Sequence, residues 1–380
     1  MKTFAARRPL LALCLLAGLL AAGAAAWSWH QVTRPGRVHF ERGLDYASAK
    51  QIPQAEQEWL AGIREDPNFP DNHAQLGDLY TALGRPGEAA VQYQAASRLT
   101  PKDGALFLRL ARADEAAGDM EAARAAAEHA AALHPGDFEA QSYFGILAAK
   151  LNHPAAAQAP LAHAHALAPD DASVLIYLVR VEFQRRDLAG VERDLTPFIL
   201  RHPDNAETSY LMASLLHQKP QTTATSQAEV SYAQHAQEGA PGNADANLLL
   251  GQAFLDAHQP AQALPAFQRA RTLMPHSQAA IQGLLSCYTR LQQPALAEHA
   301  SADLDAETTR RDQMARLTDR LNTAPADIAA TLELARLREE NGETALAESY
   351  YRRAVRHAPQ DPKARAALAG FLRHTGHHRP

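Results

Sequence analysis

Cysteine is nearly absent: Cys14 and Cys287 are the only two in 380 residues. That excludes a disulfide framework as the source of stability, and any zinc site built from cysteine pairs. Aromatic residues are scarce at 6%, so few large side chains exist to fill one thick core. Neither sign of charge dominates, with 37 Lys and Arg against 42 Asp and Glu. A net charge of -5 gives no basic surplus pointing to nucleic acid and no acidic surplus pointing to a disordered chain. The glycine patterns that cradle phosphate, GxGxxG and GxxxxGK(S/T), do not occur, and neither does the zinc-hydrolase pattern HExxH. What is abundant is alanine, the best helix former and a residue that lets helices approach closely.

One hydrophobic run stands apart from the rest. Lys2, Arg7 and Arg8 precede a stretch from Pro9 to Trp29 without a charged residue. A basic start followed by an apolar run reads as an export signal that sends the remainder outward. Two fates are open. Ala24-Ala25-Ala26 offers small residues for cleavage, giving a soluble periplasmic or secreted protein. Alternatively residues 9–29 stay as a single span of the inner membrane, with Trp27 and Trp29 as interfacial anchors and the rest in the periplasm. Cys14 follows Leu13, not the small residue a lipoprotein signal wants, so lipidation there is set aside.

The remainder is periodic. Pro67, Pro101, Pro135, Pro169 and Pro203 are each 34 residues apart; Pro241 follows after 38, Pro275 after 34 and Pro359 after 84. Small residues recur 24 positions before these prolines, among them Gly43, Gly77, Ala111, Gly145, Gly251 and Ala335. Alanine recurs 12 before them, as in Ala55, Ala89, Ala123, Ala157, Ala263 and Ala347, and four further on stands a large side chain in Trp59, Tyr93, Leu161, Phe267 and Tyr351. Gly84, Gly118 and Gly342 fall where a left-handed residue ends a helix cheaply. A period of this size predicts helical hairpins that bury their apolar faces only by stacking.

The pattern resembles the tetratricopeptide repeat (TPR) family, of bacterial membrane-anchored or exported type, over residues 36–372. The resemblance implies an all-α, right-handed superhelical solenoid of about nine hairpins plus a C-terminal capping helix, behind an N-terminal hydrophobic helix. The expected divisions are a signal or anchor segment at 1–30 and a regular array at 36–275 with an insertion near 219–226. A degenerate unit with a long charged helix follows at 276–325, then a terminal hairpin with its cap at 326–374 and a disordered tail at 375–380. The fifth unit departs by placing Val179, Val191 and Phe198 where small residues belong.

In this family the first helix of each hairpin lines a groove that takes a protein or peptide partner. Carried onto this chain, the groove positions include Leu108, Arg109, Arg112, Ser142, Tyr143, Ile146, Ile176, Tyr177, Arg180, Phe183, Tyr210, Leu248 and Gln252. Tyrosine and arginine are enriched in interface hot spots, although Tyr143 and Tyr177 can equally fill the core between hairpins. The basic clamp of chaperone-binding members is missing: Ala74 and Asp78, Leu108 and Arg112, and Ser142 and Ile146 stand at its positions. The 18 histidines show no ligand spacing; His163 and His165 alternate, while His374, His377 and His378 cluster at the C-terminus. No catalytic residue, cofactor, metal or small-molecule substrate is expected. The chain reads as a tethered interaction scaffold. The alternative is an accessory module presenting substrate for a secretion, polysaccharide-export or glycosyltransferase complex whose catalytic subunit is another chain.

Overall fold

The computed structural model describes residues 34–375, and these form nineteen α-helices with no strand among them. The hydrophobic segment at 1–30 and residues 376–380 of the expected tail lie outside the described residues. Among the described residues no helix is long and apolar enough to cross a membrane.

The chain divides into two compact units, one ending at Gly190 and the other beginning at Val191. The first holds four hairpins: α1 (Pro35–Ser48) with α2 (Ile52–Glu65), α3 (Pro70–Ala82) with α4 (Pro86–Leu99), α5 (Gly104–Ala117) with α6 (Met120–Leu133), and α7 (Phe138–Lys150) with α8 (Pro154–Leu167). Then comes α9 (Ala172–Gln184). Helix α10 (Leu188–Arg201) carries the division. The second unit holds α11 (Ala206–His217) with α12 (Thr223–Gly239), α13 (Ala244–Asp256) with α14 (Pro260–Leu273), α15 (Gln278–Arg290) with α16 (Pro294–Thr323), and α17 (Ile328–Glu340) with α18 (Thr344–His357). It closes with α19 (Pro362–Thr375), which packs on α17 and α18 and takes in Thr375, expected at the start of the tail.

Local chemistry starts and stops these helices at the repeat interval. Most first helices begin on a side-chain cap: Asp103, Asp171, Asn205, Asn243, Ser277 and Asp327 each accept a backbone N–H three residues on, at 2.9–3.3 Å. Such caps stabilise a helix by about 1 kcal/mol. Second helices instead often begin with proline in the first turn, as at Pro86, Pro154, Pro260 and Pro294, where a missing N–H costs nothing. Between the helices one residue adopts the left-handed conformation. Gly84, Gly118 and Gly342 do so, as the sequence predicts, but so do Lys50, Asn152, Arg186, His258 and Gln292.

Four hairpins close on a glycine facing a large side chain. A Cβ added at Gly43 would stand 2.1 Å from Trp59 Nε1; at Gly77, 2.5 Å from Tyr93 Cε1; at Gly145, 2.6 Å from Leu161 Cγ; at Gly251, 2.8 Å from the Phe267 ring. The four large partners are all buried, and alanines along both helices fill the spaces beside them. In the fifth repeat Val179, Val191 and Phe198 are buried where smaller side chains stand elsewhere.

Two hairpins depart from the rule. Between α11 and α12 the single turn residue is replaced by residues 218–222, secured where Thr222 and Thr225 cap each other. Helix α16 runs for 30 residues. Its second half is no bare spacer: Met314, Leu317 and Leu321 form a small core with Ala330, Leu334 and Leu337 of α17.

Overpacking a core costs about 1–3 kcal/mol. Gly77→Ala should therefore lower stability by about 1–2 kcal/mol in urea or thermal unfolding, despite the better helix propensity of alanine. Gly87→Ala, in α4 with nothing within 4 Å of its added Cβ, should be neutral or slightly stabilising. Equal effects at the two sites would refute the interlock.

Candidate functional site

In the first compact unit the first helices α3, α5 and α7 are joined side to side by polar contacts. Asp78 on α3 is the first junction. Tyr93 of α4 donates its hydroxyl proton to Asp78 Oδ1 at 2.7 Å, and Arg109 of α5 reaches both carboxylate oxygens at 3.2 and 3.4 Å. Burial and the neighbouring carboxylate push the Tyr93 hydroxyl up to about 12, so it stays a donor at any physiological pH. A cavity of about 450 Å³ opens beside this junction, lined by Asp78, Thr81, Tyr93, Arg109, Arg112 and Ala113 among others. It combines an apolar floor with two guanidinium groups.

Glu115 of α5 is the second junction. It accepts from the Tyr143 hydroxyl of α7 at 2.6 Å and from Lys150 Nζ at 3.2 Å. These two donors hold its carboxyl below the usual carboxylate range, and burial beside that carboxylate pushes the Tyr143 hydroxyl well above its ordinary value. Arg112 lies 5.9 Å from the centre of the Tyr143 ring and ion-pairs with Glu139. The Tyr143 ring packs against the core while its hydroxyl end sits among charges.

The other residues named from the repeat register fall into three environments. Leu108, Ser142 and Ile176 are buried, with 7–9% of their surface exposed, so they support the face and offer little of it to a partner. Ile146 and Tyr177 are half-buried against the core, Phe183 is half-buried, and Arg180 is exposed on α9. Tyr210, Leu248 and Gln252 belong to the second unit, where all three are half-buried; Gln252 donates to Asp256 Oδ1 at 2.8 Å.

The sequence reading did not single out Glu115, because a charged residue near the end of an exposed helix looks like an ordinary solvated one. It also missed a cluster in the second unit, His217, Glu229 and Asp256, whose nearest atoms lie 3.1 Å apart. The available signal was Glu229 itself. It stands 12 residues before Pro241, where other units carry alanine. The two carboxylates raise the affinity of His217 for a proton above the ordinary histidine value. Along α16, cavities of about 680 and 490 Å³ open where its extension begins, one beside Arg271, His299 and Asp303 and the other beside His276, Glu307 and Arg311.

Asp114, on α5 next to the Glu115 junction, is pushed up to about 6 by burial and by Asp119. The folded state therefore holds this proton more tightly than the unfolded chain does. Its contribution to stability is greatest below about pH 4 and is lost as pH rises to about 6. Screening reduces the effect to about 1–2 kcal/mol. Asp114→Asn should remove that decline from a stability-against-pH curve; an unchanged curve would show that Asp114 titrates normally.

No curated protein matches the chain. Among solved structures it is similar to pilF of Pseudomonas aeruginosa at 17% identity, over 57% of this chain and 97% of that one, with a TM-score of 0.40. It is similar to a tetratricopeptide repeat protein from Parabacteroides merdae at 17% identity, over 67% and 99%, with a TM-score of 0.39. YrrB, described as a TPR protein with an unusual peptide-binding site, aligns at 15% identity over 59% and 96%, with a TM-score of 0.34. A tetratricopeptide repeat family model matches residues 328–371, the last complete hairpin and most of its cap. The match identifies the hairpin at residues 328–371 as a tetratricopeptide repeat, and the proline ladder of the preceding hairpins has the same 34-residue spacing from Pro67 to Pro203.

Proposed function

We propose that this protein is a non-enzymatic scaffold that binds a partner protein or peptide on the first-helix face of its anterior hairpins. TPR proteins are in general non-catalytic interaction scaffolds. The observation that carries the reading here is the junction array on α3, α5 and α7. Asp78 holds Arg109 and Glu115 holds Tyr143, so the side chains beside these two pairs are presented with less left to order on binding. Arg112 and the hydroxyl end of Tyr143 supply charge and an amphipathic ring, the residue types most often found at binding hot spots. The cavity between Tyr93 and Arg109 provides room for one side chain of a partner, and its guanidinium lining favours an acidic or carbonyl-rich segment. The absent basic clamp argues against a terminal carboxylate as the principal anchor.

The test is capture of the partner by crosslinking from membranes, followed by affinity measurement with that partner. Arg112→Glu combined with Tyr143→Ala should weaken binding about tenfold or more, equivalent to about 1.4 kcal/mol or greater. Undiminished binding by a folded double variant would mean that another surface is used.

The scaffold is proposed to be held at the inner membrane by residues 9–29, facing the periplasm. The support is the order of Lys2, Arg7 and Arg8 before a charge-free run ending at Trp29. Carbonate washing of membranes should leave the full-length chain in the pellet. A shortened chain in the supernatant would instead establish cleavage after the alanine run, and a full-length chain in the cytosol would overturn export.

A further inference from the structure

The sixth hairpin contains an anomaly that protein binding on the anterior hairpins does not explain. At the position of Glu229 six other units place Ala55, Ala89, Ala123, Ala157, Ala263 and Ala347, all fully buried. Glu229 is fully buried as well. A carboxylate adds nothing to helix packing there, and burying it costs several kcal/mol unless a cation or donors compensate it. It is met by His217, the last residue of α11, and by Asp256, the last residue of α13. His217 Nδ1 stands 3.1 Å from Glu229 Oε1 and 3.1 Å from Asp256 Oδ2.

Within the protein the two carboxylates share a single donor at the point where they converge. His217 Nδ1 carries at most one proton, yet two carboxylates face that nitrogen at the same distance. One divalent cation satisfies all three. The three ligand atoms lie within 4.8 Å of one another. The two 3.1 Å separations are close to the ~3.3 Å edge of a tetrahedron whose ligands stand ~2.0 Å from the metal. Charge agrees as well, since a neutral imidazole and two carboxylates balance a doubly charged ion. Each carboxylate also has its second oxygen held by an amide: Gln252 Nε2 donates to Asp256 Oδ1 at 2.8 Å, and Gln221 Nε2 to Glu229 Oε2 at 3.4 Å. Supporting bonds of this kind orient metal ligands. Gln221 belongs to the turn of residues 218–222 that other hairpins lack, and Ser226 Oγ in turn donates to its Oε1 at 3.0 Å. The unit with the extra turn thus carries a fully buried acid, and Gln221 of that turn reaches it.

We propose that His217, Glu229 and Asp256 bind one divalent transition-metal ion, zinc by preference. The imidazole and the low ligand count disfavour calcium and magnesium, which want six or more oxygens. The fourth coordination position is open to water or to a partner's side chain. Because the ligands come from α11, α12 and α13, the ion ties the sixth hairpin to the start of the seventh.

The test uses the full chain after chelation and dialysis, titrated with zinc chloride by calorimetry, with thermal unfolding followed in parallel. The expected result is one site and a higher melting temperature with zinc. Glu229→Ala and His217→Ala should each weaken that site about 100-fold or more. Glu229→Ala restores the alanine of the other units, so the metal-free variant should be at least as stable as the metal-free parent. His217 is exposed, so its replacement keeps the fold. A second background with His374, His377 and His378 all changed to alanine removes the terminal cluster and should bind zinc as the parent does. The proposal is overturned if the stripped protein takes up no zinc, or if both ligand variants bind like the parent. It is equally overturned if binding vanishes only with the terminal histidines.

Discussion

The contact of a residue without a side chain against a large ring is what the rest of this structure depends on. Where Gly43 meets Trp59, Gly77 meets Tyr93 and Gly251 meets Phe267, the two helices of a hairpin lie too close to admit even a methyl group. That closeness explains the abundance of alanine and the scarcity of aromatics together, because one large residue per hairpin suffices when its neighbours are small. It also explains the length of the chain. A single hairpin buries too little to be stable, and each added unit supplies the surface its neighbour needs.

The same interlock reaches the surface proposed for binding. Tyr93 is held by Gly77 at one end and donates to Asp78 at the other, and Asp78 in turn holds Arg109. A repeat position that exists for packing therefore fixes the orientation of a surface arginine on the following helix. Tyr143, half-buried against the core, likewise donates to Glu115, which also accepts from Lys150. Such a surface is stiffened from below by its own core, which suits recognition by preformed geometry.

Among the described residues, charge is buried in second helices where the repeat is broken. The first and third hairpins follow the rule and bury no charge in their second helices. The sixth gains a turn and buries Glu229; the eighth gains sixteen residues and buries Glu307, which His276 meets at 3.0 Å. In the extended helix α16, Arg310 donates to the Leu337 carbonyl at 2.9 Å and pairs with Glu340 at 3.1 Å. The long helix thus holds α17 through polar contacts as well as through its small core. An insertion in a repeat array changes which side chains face one another, and polar residues become tolerable where complementary ones arrive opposite them.

Much of the architecture was decided by the sequence alone. The proline ladder, the glycine turns and the small-to-large pairing are local or near-local steric rules, so spacing reveals them directly. The extended α16 and the extra turn after α11 also show as a ladder stretched by sixteen and by four residues. Other features required the tertiary structure. Lys50, Asn152, Arg186, His258 and Gln292 adopt left-handed turns because the packed helices on either side impose them, at a cost of about 1–2 kcal/mol that no local pattern announces. Leu108, Ser142 and Ile176 share their register positions with surface residues, and only the approach of neighbouring helices buries them. His217, Glu229 and Asp256 are separated by 12 and 27 residues, a spacing without meaning along one helix. They converge because an extra turn and two helix ends meet in space, and only the fold brings about that meeting.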